Sequence, residues 1–152
     1  MLAFTLPSLA TDIQYTGSGS DHLWTNLSNW QGGTIPDDKN TGAANWNEGT
    51  QLEIPSGTNA VCKGFMLGMY GSSNSAEVAG GTLACNWLDI GRSNQNGGNG
   101  TLTITSGSVT ISGTLSIPNQ FGSNIDPAII GQGQLYLTGG SISANSIHLG
   151  NG

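Results

Sequence analysis

The chain reads as an all-β protein, a right-handed parallel β-helix of about four to six coils with an aromatic N-terminal cap. Three observations predict this class. An apolar alternation recurs in one register, a glycine stands at the same place in each recurrence, and no stretch carries the apolar spacing of an amphipathic helix. In register, the first column is Leu52, Ala76, Leu102 and Leu135, the second is Ile54, Val78, Ile104 and Leu137, and the pivots are Gly57, Gly81, Gly107 and Gly140. Alternate residues of a strand point to opposite faces, so these positions share one face and the glycines supply the corners. Such a unit cannot bury its apolar face alone, whereas stacked units form a continuous core. Parallel crossovers are right-handed in most folds, which sets the expected hand. A β-sandwich would also be all-β, but it does not require column-wise agreement between segments.

Taken in order, residues 1–12 read as a linker or an added start, and 13–152 as a single module. Within that module, 13–50 form the cap region and 51–152 the coils. The opening ends in Ser8-Leu9-Ala10, like the end of a signal peptide, but lacks a basic first region. Each repeat continues past its pivot through Leu83, Val109 and Ile142. It then runs through Phe65, Leu88, Leu115 and Ile147, and through Leu67, Ile90, Ile117 and Leu149, before closing at Gly68, Gly91, Pro118 and Gly150. The chain stops after a complete repeat with no polar cap, so a larger multidomain chain, or a partner over this end, is expected.

Composition narrows the function. The 152 residues carry a net charge of −6, and Lys39, Lys63 and Arg92 are the only fixed cations, which removes the electrostatic basis of nucleic-acid binding. Nothing is long enough to span a membrane as a helix. The abundance of Gly, Asn, Ser and Thr, with charged residues at only 8%, resembles extracellular bacterial repeat proteins more than cytosolic enzymes.

Catalytic patterns find little support. Lyases on such scaffolds need strong bases and charge-neutralising groups, and three scattered cations do not provide them. Paired carboxylates for hydrolysis would come from Asp37, Asp38, Asp89 or Asp126, of which Asp37 and Asp38 follow Pro36 in a solvated turn. His22 and His148 have no patterned Ser or Cys partner. Gly97-Gly98-Asn99-Gly100 begins like a calcium-binding nonapeptide, but Leu102 stands where that repeat needs Asp. A threonine row for ice binding, Thr101, Thr103 and Thr105, is not continued at Glu77 and Ala79 or at Tyr136 and Thr138. No enzyme, metal or cofactor is expected. Cys62 and Cys85 occupy one column in neighbouring coils, with Ser112 and Ala144 assigned to the same column. A disulfide and a pair of small buried thiols both fit.

A sugar-binding face is the remaining reading. Insertions after the closing turns, Met69 to Ser75, Arg92 to Gly100 and Asn119 to Gly133, carry Tyr70, Arg92, Asn94, Gln120 and Phe121. Alternation turns Trp87 and Asp89 outward beside them. Aromatic plates suit a pyranose face, while amides and a guanidinium group address its hydroxyls. These seven residues form the candidate carbohydrate site, with packing of Trp87 beneath a loop as its alternative role. The low cation count favours a neutral glycan over a sulfated or uronic one.

The N-terminal segment carries Trp24, then Asn29-Trp30-Gln31-Gly32-Gly33, Pro36 and Asn45-Trp46. Over about Gln14 to Trp46 this resembles the opening of secreted bacterial β-solenoid modules found in surface proteins and beside the catalytic domains of marine polysaccharide-degrading enzymes. The resemblance implies a secreted, non-catalytic carbohydrate-binding module of the agarose or porphyran type, attached to a glycoside hydrolase. It also implies that Trp24 and Trp30 cap the first coil, with Trp46 open between capping and binding. A structural or adhesive segment of a bacterial surface protein is the alternative.

Overall fold

The computed structural model describes residues 12–39, 43–45, 48–91, 98–117 and 131–150. Its strands are β1 (Ile13–Gln14), β2 (Ala43–Asn45), β3 (Gln51–Pro55), β4 (Asn59–Val61), β5 (Gly64–Leu67), β6 (Ser73–Cys85), β7 (Trp87–Ile90), β8 (Asn99–Ile117), β9 (Gln132–Leu137) and β10 (Ser141–Leu149). Every paired strand runs parallel to its neighbour.

The sequence columns reappear as strand pairs. Leu52 lies opposite Ala76, Ala76 opposite Leu102, and Leu102 opposite Leu135, while Ile54, Val78, Ile104 and Leu137 align in the same way. Phe65, Leu88, Leu115 and Ile147 form a further column. Their side chains alternate inward, and from Leu52 through Leu115 the inward members are buried in one core.

The right-handed β-helix expected from the repeat is nevertheless corrected. All ten strands belong to one sheet, which curls into a parallel half-barrel. The reason lies at the pivots. A β-helix with separate faces needs each glycine to end a strand, yet β6 runs unbroken for 13 residues through Gly80 and Gly81, and β8 for 19 residues through Gly107. Gly57 and Gly140 do lie in turns, between β3 and β4 and between β9 and β10, but in β6 and β8 the corners are irregularities inside continuous strands, seen as register shifts between Val78 and Ala79 and again between Ala79 and Thr82. Such irregularities bend a strand without ending it, so the sheet wraps its core as a trough. The second pivot also moves by one residue, because the left-handed φ of +101° belongs to Gly80 and not to Gly81.

Aromatic residues close one end of the core. Trp30 packs edge-on against Tyr15 at 5.2 Å and Trp24 at 4.8 Å, and Trp24 meets Phe65 at 6.0 Å. The Trp30 indole donates to the Trp24 carbonyl at 2.7 Å, so its polar edge is satisfied inside the core. The preceding Asn29 is fully buried and ties the loop before it. Its amide donates to the carbonyls of Asp21 and Leu23, and its oxygen accepts from the Gly19 backbone at 2.7 Å. Asp21 accepts from the Asn26 amide and the Leu23 backbone, contacts that hold its carboxyl below the usual carboxylate range. The loop then lies on β3, with Glu53 donating to His22 and Trp24 donating to Glu53, so the outer edge of β3 is paired.

Tyr15 is wholly buried and donates to the Gln51 carbonyl at 2.9 Å. Burial first, and the Asp21 charge second, push its pKa up to about 12. An unfolded tyrosine titrates at about 10, so between those values the folded state keeps a proton that the unfolded chain releases. This contribution is intact below about pH 10 and is lost as pH rises towards 12. Urea unfolding should therefore show roughly 2–3 kcal/mol of alkaline destabilisation across that window, and Tyr15→Phe should abolish that loss. An unchanged pH dependence in Tyr15→Phe would contradict the assignment.

Candidate functional site

The outer surface of β5 and β7 departs from the alternation. In β5 all of Gly64, Phe65, Met66 and Leu67 are buried, although Met66 occupies an outward position. Met66 is covered by Met69 and Trp87, which form a small apolar cluster apart from the main core. Trp87 lies directly opposite Gly64 on the neighbouring strand. A Cβ on Gly64 would stand 2.0 Å from the Trp87 indole, so the ring occupies the space that any other residue would fill. Trp87 is thus a half-buried aromatic plate, supported from beneath by glycine and from the side by two polarisable methionines.

Asp89 follows on the same outward column, opposite Met66 on one side and Ser116 on the other. The sequence places it facing out, but the structure buries it at 5% exposure, with Ser116 at 6%. A carboxylate in this position is enclosed between Met66 and Ser116 and offers little surface to a ligand.

Tyr70 sits in the turn that follows Met69. It is 55% exposed, and its φ of 53° makes it the only non-glycine residue with a left-handed backbone among those described. Such a conformation is unfavourable for an L side chain and persists only where its surroundings hold it. Those surroundings are specific. Ser72 donates through both its backbone and its hydroxyl to the Met69 carbonyl, and buried Asn74 accepts from Gly68 at 2.8 Å while donating to the Ser72 hydroxyl at 3.1 Å. Met69, tied into this network, is also the residue that packs beside Trp87.

Of the residues expected to bind sugar, Trp87, Tyr70 and Asp89 therefore fall in one neighbourhood. Arg92, Asn94, Gln120 and Phe121 lie outside the described residues, as do Trp46 and Asp126. Sequence reasoning missed Gly64, Met66 and Met69. A signal for the first two was present, since four apolar or small residues in succession break the alternation of β5 and a glycine stands in register with a tryptophan.

A concavity of about 270 Å³ lies elsewhere on the sheet, along Val61, Ala84 and Thr110, bordered by Asp38, Cys62, Cys85, Asn86 and Ser112. The three lining positions are in register across β4, β6 and β8. Among the described residues no group of three or more His, Cys, Asp or Glu side chains could hold a metal ion. Comparison of the chain with family models, curated proteins and solved structures finds no match.

The Gly64–Trp87 contact is directly testable. Gly64→Ala should displace the indole, raise acrylamide quenching of tryptophan fluorescence, and destabilise the fold by roughly 1–3 kcal/mol through overpacking. Unchanged quenching with unchanged stability would show that Trp87 does not rest on Gly64.

Proposed function

We propose that this chain is a non-catalytic carbohydrate-binding module that recognises a neutral galactan such as agarose and directs an attached, secreted glycoside hydrolase to it. The observation that carries the reading is Tyr70, an exposed aromatic in a strained conformation that directly follows Met69, against which a second aromatic, Trp87, is packed. Backbone strain at a surface residue is retained where the side chain it presents has a use. An exposed tyrosine on a restrained turn and a half-buried tryptophan packed on Met69 supply apolar ring faces on which a sugar can stack, at reduced entropic cost because the turn and the indole are held in place. A net charge of −6 supports a neutral polymer over a polyanionic one.

A second reading, a structural or adhesive segment of a bacterial surface protein, is favoured by β9 and β10. Tyr136, Leu137, Ile147 and Leu149 on these strands are at least half exposed, which suits association between chains.

Affinity electrophoresis in gels containing agarose separates the two. The native chain should be retarded, and Trp87→Ala should weaken retention several-fold, as expected for loss of a stacking contact worth about 1 kcal/mol. Tyr70→Gly is more discriminating. Glycine accepts the left-handed φ, so the variant should gain about 1 kcal/mol of stability while losing binding several-fold. Retention should change little with salt, because a neutral polymer releases few counterions. No retardation by any neutral polysaccharide would transfer the assignment to the structural reading.

A further inference from the structure

The cysteine column differs from the one read in the sequence. Cys62 and Cys85 are neighbours, since Val61 pairs with Ala84 and the Cys62 backbone donates to the Ala84 carbonyl at 3.1 Å. On the other side of the pair, Asn86 donates to the Lys63 carbonyl at 2.9 Å. These two hydrogen bonds bracket the cysteines and hold their Cα atoms at the ~4.8 Å spacing of adjacent strands, within the range a disulfide spans. The next member of the column, however, is Ile111 and not Ser112. Ser112 and Gly113 together form an extra-residue irregularity in β8, visible as the register shift opposite Ala144 and Ser146. A column that accepts isoleucine one level away does not demand small side chains, so size alone leaves two successive cysteines unexplained.

Both thiols are reduced and buried, Cys62 at 2% and Cys85 at 6% exposure, among apolar neighbours. An uncharged product suits that setting better than a thiolate or a bound ion. The concavity along the outward residues Val61, Ala84 and Thr110 borders the segment that carries both cysteines, while the thiols themselves belong to the core, so an external reagent meets them when this segment opens. Cys85, the more exposed of the two, stands beside the Asn86 corner.

We propose that Cys62 and Cys85 are a disulfide-forming pair that joins the end of β4 to the end of β6 when a small-molecule disulfide is available. The Cys85 thiolate attacks the external disulfide, forming a mixed disulfide and releasing one small thiol. The Cys62 thiolate then attacks the Cys85 sulfur and releases the second. In sum, two protein thiols are oxidised to one disulfide and the external disulfide is reduced to two thiols, with the protons transferred to the departing thiolates. The bond closes the loop of chain between residues 62 and 85 and restricts the unfolded state.

The test is oxidation of the reduced, folded protein with oxidised glutathione, followed by intact mass, peptide mapping and thermal unfolding. The expected product is a monomer lighter by two hydrogen atoms, with a Cys62–Cys85 cross-linked peptide and a Tm raised by roughly 5–10 °C. Cys62→Ser and Cys85→Ser should show no such rise. Persistent glutathione adducts, intermolecular dimers, an unchanged mass, or a cross-linked form with lowered Tm would each overturn the proposal. Because the mass and mapping are read on the unsubstituted chain, the result stands even if a serine variant fails to fold.

Discussion

Parallel, in-register hydrogen bonding along β8 is the constraint on which the rest of the structure depends. This strand pairs with β6, β7, β9 and β10, so it joins the parts of the sheet on either side of it. A parallel ladder fixes register as well as proximity. Once Leu102 and Ile104 lie beside Ala76 and Val78, the outward residues are aligned too. The supported tryptophan follows from that register, because Gly64 and Trp87 oppose each other only when Phe65 and Leu67 pair with Leu88 and Ile90.

Local chemistry then adapts a uniform scaffold at particular places. The buried Asn29 and the half-exposed Asp21 convert a glycine- and serine-rich loop into a lid on β3, and Trp24 and Trp30 fill the core beneath it. In the turn after β5, Asn74 and Ser72 restrain the backbone that displays Tyr70. In both places short polar side chains satisfy backbone groups that the sheet leaves unpaired, which lets an aromatic residue be placed without disturbing the ladder.

Much of the strand pairing was legible in the sequence, because alternation and column agreement are direct consequences of burying one face of each strand. Leu52, Ala76, Leu102 and Leu135 needed no structural information to be aligned. The architecture was not legible, since the same glycines can end a strand or bend one, and only the continuity of β6 and β8 through Gly80 and Gly107 distinguishes a curled single sheet from discrete faces. Gly113 displaced the cysteine column by one residue for a related reason. Counting back from Leu115 ignores a bulge, and a Cβ at Gly113 would stand 2.5 Å from the Asn86 carbonyl oxygen, so the irregularity is built around that glycine. At the candidate site, outward alternation identified Trp87, but the burial of Asp89 and Met66 depends on neighbours that periodicity does not encode.

Residue-resolved amide hydrogen exchange tests the central role of β8 most directly. Amides in the segments of β8 that are flanked by strands on both sides should exchange only through global unfolding, while those of β9 and β10, paired on one side to β8, should exchange through smaller local openings. Protection that is highest in β9 and β10, or uniformly low along β8, would contradict the account.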